Sequence, residues 1–529
     1  MRGILNHSIF TTASDNPKPP EKNIRIVGLL DKPPEAVRAK IDERERREPV
    51  AVNYFRDPAV WQPLIEPIMT RLTLKIRTWQ LGTDSDYSFI TSPRLKQTIK
   101  DIGRELQGFG QPIGIAFSWP WLEHLPPVSE QSWAAINLST NSPPLSVDEL
   151  EAYLQATEAK ENGHRERAET WVSVDPLDAS LYDRQTRIAD LVLRMTAVRG
   201  YRVPATFVSE PLSPKQGLLR SDYRPGELLL PWRTTAMLVG DLTKVGSMQL
   251  PGNSSNVVLS NKDRTTIVIW NPTPTTEAMY LGDSTRQIDV WGNVTMPKKI
   301  VVDGQPMHAI NVGPMPTFLI DLDPVLVAFQ MSTRLVETGL DSLLGRRQSL
   351  SIEFVNPTQE SLSGEVRMKR LADWEVSSDS QAFDLPAGQT ANISFDVALR
   401  NSAKIGTTQL AFDFLLSTQP TRRFSVSRTI HVGPEGLDIE VNTRLDMDEL
   451  LVDLTLVNRT DKQQKYDCML FPPGGRPYQR RQVVVPALST VKRTFPWPDG
   501  QSLIGKTMLL RAAEQDGARV LNQVVDIAP

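Results

Sequence analysis

The sequence contains one cysteine in 529 residues, Cys468, so no disulfide forms within the chain. Its apolar setting, "KYDCMLF", predicts a buried and inert thiol. Histidine is nearly as scarce. The five, at positions 7, 124, 164, 308 and 431, are too far apart for the close ligand spacing of zinc motifs, and neither a metal site nor a cofactor is read. No stretch reaches the ~18 consecutive apolar residues of a membrane span. The opening "MRGILNHSIFTTASDNPKPP" is too polar for a secretory leader. There is no excess of positive charge: 59 Lys and Arg against 62 Asp and Glu give a net charge of -3, and the basic residues are scattered. That excludes nucleic acid as a partner. A P-loop lysine motif and a Gly-x-Ser-x-Gly elbow are both missing, and the glycine-rich "GFGQPIG" at Gly108–Gly114 precedes a strand, whereas a dinucleotide loop follows one.

What the sequence has in plenty is proline. Its 41 prolines exceed the ~5% of an average chain, which favours β-rich modules and many turns. At 529 residues the chain is too long for one core, and at ~150 residues each it holds roughly three to five domains. Residues 1–50 are polar and proline-rich, with at most one solvated helix in "DKPPEAVRAKIDERERREP". From 51 to about 210, apolar runs alternate with amphipathic stretches, the signature of βα units. The spacing predicts strands in "LTLKIRTWQL", in Gln111–Trp119, in Glu169–Asp175 and in Tyr201–Ser209, and helices over 93–109, 147–160 and 181–199, the last closed by Gly200. This makes about four βα units. After about 225 the helices are expected to stop, and short β runs with Gly, Pro and Asn turns continue to the end.

The stretch "RTWQLGTDSDYSF", Arg77 to Phe89, ends a strand at Gly82 and delivers Asp84 and Asp86 into the following loop. In a barrel enzyme that loop carries chemistry. The alternative is a helix cap or a polar turn. Asp175 in "WVSVDPLD" and Glu210 in "FVSEP" also follow strands, although Asp-Pro is itself a turn initiator. Trp79, Phe117, Trp119, Trp121 and Trp171 fall at or near the same strand ends, either as faces for sugar rings or as filling beneath the loops. Glu123, followed by His124, either reaches a ligand or covers a rim.

Several longer segments carry a family resemblance. "GLLRSDYRPGELLLPWRTTAMLVGDLTKVGSMQLPGNSSNVVLSNKDRTTIVIWNPTPTTEAMYLG" (Gly217–Gly282) resembles the junction between a catalytic (β/α)8 barrel and its companion β-domain in large bacterial glycoside hydrolases. "IDVWGN" (Ile288–Asn293) and "INVGPMPTFLIDLD" (Ile310–Asp323) continue it, and Leu350–Val397 is similar to the immunoglobulin-like sandwich appended to many glycosidases. The resemblance implies a multidomain α/β plus all-β protein: a polar segment (1–50), a partial (β/α)8 barrel (51–250), a companion β-domain (251–330) and two immunoglobulin-like β-sandwiches (331–435 and 436–529). "WQLGTD" then resembles the strand-4 ending of the retaining clan, Trp-x-x-Gly-Asn-Glu, with Thr83 for the asparagine and Asp84 for the glutamate. The implied roles are Asp84 as acid/base, Asp175 or Glu210 as nucleophile, and Trp79, Asp86, Phe117, Trp119, Trp121, Glu123 and Trp171 as sugar-binding residues. The implied partner is a polysaccharide in an extracellular or periplasmic setting. A non-catalytic surface or adhesion scaffold is the alternative. If the strand before Asp84 is the fourth, residues 1–70 have room for only one of the three that should precede it. The chain is therefore expected to be either the C-terminal portion of a longer glycosidase or a degenerate barrel, open-sided and needing cover for its edges.

Overall fold

The computed structural model describes residues 26–31, 35 and 51–528, apart from 111, 128–130, 142–143, 162–167, 202, 420 and 435. The solvated helix expected in 31–49 lies, but for positions 31 and 35, outside them. A six-stranded parallel sheet opens the fold, its strands side by side in chain order: β1 (Val27–Leu30), β2 (Thr78–Leu81), β3 (Gly114–Ser118), β4 (Ala135–Ser139), β5 (Glu169–Ser173) and β6 (Ala205–Phe207). Six strands replace the expected four, because "VGLL" and "AINLS" are short and the latter carries a central Asn137. Among the described residues, β1 and β6 each pair on one side only, so the sheet is an open half-barrel. Among the described residues a single strand precedes β2.

Helices follow the strands: α1 (Ala51–Tyr54), α2 (Pro58–Leu72), α3 (Leu95–Gln107), α4 (Val147–Glu161), α5 (Arg184–Gly200) and α6 (Leu229–Val239). The strand expected from Leu72 begins only at Thr78. Leu72 instead ends α2, which Asp57 caps by accepting from Ala59 N at 3.0 Å with Pro58 in the first turn. α5 begins at Arg184 rather than 181 because Asp183 accepts from Gln185 N and Thr186 N. Gly200 is its last residue rather than its cap, and a Cβ there would meet that of Lys244 at 3.1 Å. α6 and a further helix, Pro324–Ser332, correct the expectation that helices stop at 225.

Alternate strand residues face opposite sides of the sheet. Trp79, Leu81, Ile115, Phe117, Ile136, Leu138 and Val172 pack outward against the helices, whereas Ala116, Ala135 and Trp171 fill the inside with Val27, Ala205 and Phe207 around them. The helix-side core runs on into a six-stranded antiparallel sheet spanning 243–320, through Val257, Leu259, Val268 and Phe318. The other face of that sheet, Val258, Ile267 and Ile269, meets a three-stranded sheet through Met279 and Ile310.

Beyond residue 333, two pairs of sheets follow. A four- and a five-stranded sheet face each other across a phenylalanine core, with Phe354 at 5.3 Å from Phe414 and Phe395 at 5.9 Å from Phe412. Each ring buried there contributes about 1.5–3 kcal/mol. A three- and a four-stranded sheet enclose the last core, which holds Tyr466 and Cys468. Burial pushes the Cys468 thiol up to about 12, in keeping with an inert group. Among the described residues no helix is long and apolar enough to cross a membrane.

Candidate functional site

At the C-terminal ends of the strands, the inward positions turn polar. Gln80, Ser118, Asn137, Ser139 and Ser173 are all buried and belong to β2, β3, β4 and β5. Gly82, at φ +80°, turns the chain out of β2, and a Cβ there would meet Ala51 Cβ at 2.9 Å and Asp86 Cβ at 3.0 Å. The turn places Asp84 over the polar layer. Gln80 Nε2 donates to Asp84 Oδ1 at 2.6 Å and Ser173 Oγ donates to Asp84 Oδ2 at 2.8 Å. Asn137 Nδ2 in turn donates to Ser173 Oγ at 3.0 Å, and Ser118 Oγ donates to the Thr83 carbonyl at 2.8 Å. Two strands, β2 and β5, therefore hold one half-exposed carboxylate directly, with Asn137 of β4 behind Ser173 and Ser118 of β3 on the adjoining backbone.

Asp175 stands two residues beyond Ser173 and is 5% exposed. Its Oδ1 accepts from Ser209 N at 2.7 Å and its Oδ2 from Ser209 Oγ at 2.8 Å, tying the ends of β5 and β6 together. Burial pushes its carboxyl above the ordinary carboxylate range; the Ser209 bonds oppose this, the nearby Asp84 charge adds to it, and Arg194 opposes it. Arg194, 1% exposed on α5, donates to Thr140 Oγ1 at 2.9 Å and to the Asp175 carbonyl at 2.8 Å, and also pairs with Asp190. Asp84 and Asp175, 91 positions apart, thus belong to one polar cluster at the mouth of the half-barrel.

The other site residues are placed differently. Asp86 Oδ2 accepts from Ala51 N at 2.6 Å and Oδ1 from Ser88 N at 3.0 Å, so it caps α1 and shapes its own turn instead of facing a ligand. Glu210 is exposed past β6, outside the cluster, and Glu123 is exposed in the loop after β3. Trp79 and Phe117 face the helices, because they occupy the outward positions of β2 and β3. Trp119, 3% exposed, stacks on Trp133 with ring centroids 6.1 Å apart and donates to the Glu123 carbonyl. Trp121 donates to the Ser139 carbonyl at 2.7 Å. Trp171 is fully buried inside the half-barrel, edge-on to Phe207 and bonded to Glu169. All of these rings fill space beneath the loops, and none presents an open face. Sequence reading missed Gln80, Ser118, Asn137, Ser173, Arg194 and Ser209. The signal was a polar residue at alternate positions near each strand end, as in "INLS" and "WVS".

Chemically, the cluster is a network of hydroxyls, amides and two carboxylates suited to hydrogen bonding with a polar ligand. Among the described residues no group of three or more His, Cys, Asp or Glu side chains is arranged to hold a metal ion.

No protein-family model matches the chain, and no curated protein matches it. Its solved structural neighbours include a family 39 glycoside hydrolase from the gut symbiont Bacteroides cellulosilyticus WH2, at 14% identity over 49% of this chain and 61% of that one, with a TM-score of 0.39. An alpha-amylase from H. orenii is similar at 9% identity over 51% of this chain and 65% of that one, with a TM-score of 0.31. The YadV chaperone aligns along its whole length to 37% of this chain, at 14% identity and a TM-score of 0.15. The likeness to glycoside hydrolases is distant, and the chain spans about three fifths of the length of the family 39 enzyme.

Proposed function

We propose that the mouth of the half-barrel binds a saccharide on a glycosidase-like scaffold without cleaving it. The observation that carries this reading is the tethering of Asp84. Both of its oxygens accept bonds from within the sheet, from Gln80 and Ser173, and both oxygens of the buried Asp175 accept from Ser209. Retaining hydrolysis needs one carboxyl group free to protonate the leaving oxygen and a second ~5–5.5 Å away and open to the anomeric carbon. A carboxylate held from inside, one methylene shorter than the glutamate of "Trp-x-x-Gly-Asn-Glu", is suited to receiving a sugar hydroxyl rather than to that proton transfer. The same reading divides the chain at about 250, 330 and 435, makes the last two pairs of sheets immunoglobulin-like sandwiches, and sets the protein outside the cytoplasm with a polysaccharide as its partner.

The test is a panel of soluble polysaccharides, scored for both binding and reducing-end release, with Asp84→Asn and Ser173→Ala beside the unaltered chain. Binding without release, weakened about tenfold or more in Ser173→Ala, is the expected result. Release abolished by Asp84→Asn would make the protein an active hydrolase. Failure to bind any member of the panel would end the saccharide reading of this site.

A further inference from the structure

A second polar cleft lies away from the half-barrel, between the segments 280–284 and 321–326 and the start of the strand Arg422–Val432 in the five-stranded sheet. It has a volume of about 450 Å³ and is walled by Tyr280, Asp283, Ser284, Asp321, Asp323 and Arg422. That size falls within the ~300–1,000 Å³ of small-molecule sites.

Each of its carboxylates is held by a basic partner. Arg422 Nε donates to Asp323 Oδ2 at 2.8 Å, while Asp323 Oδ1 caps the helix Pro324–Ser332 through Val325 N and Leu326 N. Lys299 Nζ lies 3.0 Å from Asp283 Oδ1, and Arg286 pairs with Asp321. The Tyr280 ring is stacked on His308 with centroids 5.8 Å apart and planes 21° from parallel. His308 is 2% exposed, and its Nδ1 has no hydrogen-bond partner among the described residues.

The charges on the wall select the ligand. Three carboxylates and one guanidinium line the cleft, while Lys299 and Arg286 pair with Asp283 and Asp321 from outside the lining, so an acidic ligand is disfavoured. The carboxylate lone pairs still accept, the guanidinium still donates and the Ser284 hydroxyl does both, all beside a phenol ring. Sugar hydroxyls donate and accept in the same way, and the apolar face of a pyranose packs on an aromatic ring. Because Arg422 and Asp323 are mostly buried and already fixed by one another, little of their side-chain freedom is lost on binding. We propose that this cleft is a binding site for a neutral saccharide segment, separate from the half-barrel mouth and independent of what that mouth binds.

The experiment is calorimetric titration of the full chain with cello-, xylo-, manno-, malto- and chitopentaose, and with pentagalacturonate as the charged counterpart. The variants are Ser284→Trp, which fills the cleft from an exposed position, Tyr280→Ala, and Asp84→Asn at the other site. At least one neutral pentasaccharide should bind with an affinity reduced about tenfold or more by Ser284→Trp and by Tyr280→Ala, and the binding component lost in those two variants should persist in Asp84→Asn, whatever that change does to a second component at the barrel mouth. Pentagalacturonate should bind more weakly than the neutral ligand. The proposal is overturned if no neutral pentasaccharide binds, if Ser284→Trp with an unchanged melting temperature leaves binding intact, or if the acidic oligomer binds as well as the neutral one. Binding lost in Asp84→Asn alone would assign the saccharide to the barrel mouth and leave this cleft without a role.

Discussion

Asp453 and Asp175 are both buried aspartates, at 3% and 5% exposure, yet their surroundings move them in opposite directions. Asp453 accepts from Thr494 Oγ1 at 2.6 Å and sits 3.0 Å from Lys492 Nζ and 3.1 Å from Arg444 Nε, which together bring its carboxyl down to about 2. A folded value below the ordinary ~3.9 stabilises the native state fully above pH ~4, and that contribution is lost as pH falls through about 2. Urea unfolding followed between pH 5 and pH 2 should show an acid-dependent loss on the order of 2 kcal/mol that Asp453→Asn removes. An unchanged acid slope in the variant would refute the assignment. For Asp175 the sign reverses. Burial raises it, so the native state binds the extra proton and its contribution declines as pH rises through the folded value. At this scale the sequence pointed to Asp84 and Asp175 from their positions after strands. Their partners Ser173 and Ser209 escaped it, because a serine carries no chemical signature until its neighbour is known.

At the scale of the element, β1 shows how a strand is admitted to a sheet. Gly28 pairs in register with Trp79 of β2, and a Cβ on Gly28 would meet the Trp79 ring at 2.1 Å. Only glycine lets the strand lie against that indole. Gly28→Ala should cost about 1–3 kcal/mol through overpacking and loosen β1 from β2. The readout is amide exchange at Gly82, whose N–H donates to the Leu30 carbonyl at 3.0 Å. Exchange there should quicken about tenfold or more; an unaltered rate would show that the strand pairing does not depend on this contact. The helices α3, α4 and α5 were legible because an apolar stripe is a local signal, whereas α2, with Pro63 and Pro67 inside it, and the Asp183 cap that starts α5 were not. The strands β1 and β4 were not, since four or five residues give too few repeats of a period of two to stand out from a loop.

At the scale of the whole molecule, the modules are joined by buried polar contacts as well as by apolar surface. Asn522, 2% exposed, donates through Nδ2 to the Asn401 and Ala403 carbonyls at 3.0 Å each, and its own carbonyl accepts from Ile405 N at 2.8 Å. Arg519 reaches Asp341 at 2.9 Å across the same seam. Asn522→Ala leaves two carbonyls without their donor, at about 1–3 kcal/mol. Differential scanning calorimetry should then resolve separate transitions for the last two pairs of sheets, and a single unshifted transition would show that this seam does not couple them. By itself the sequence determined the order of its regions, α/β before all-β, together with the buried Cys468 and the turn that carries Asp84, because period, glycine placement and composition are properties of neighbours along the chain. Only the tertiary structure decided that the tryptophans of the half-barrel are buried, that Asp86 caps Ala51, that Asp84 meets Ser173 from 89 positions away, and that a polar cleft forms around Arg422. Those outcomes depend on which side of the sheet each residue falls and on which distant segments close upon one another, and neither is written in local order.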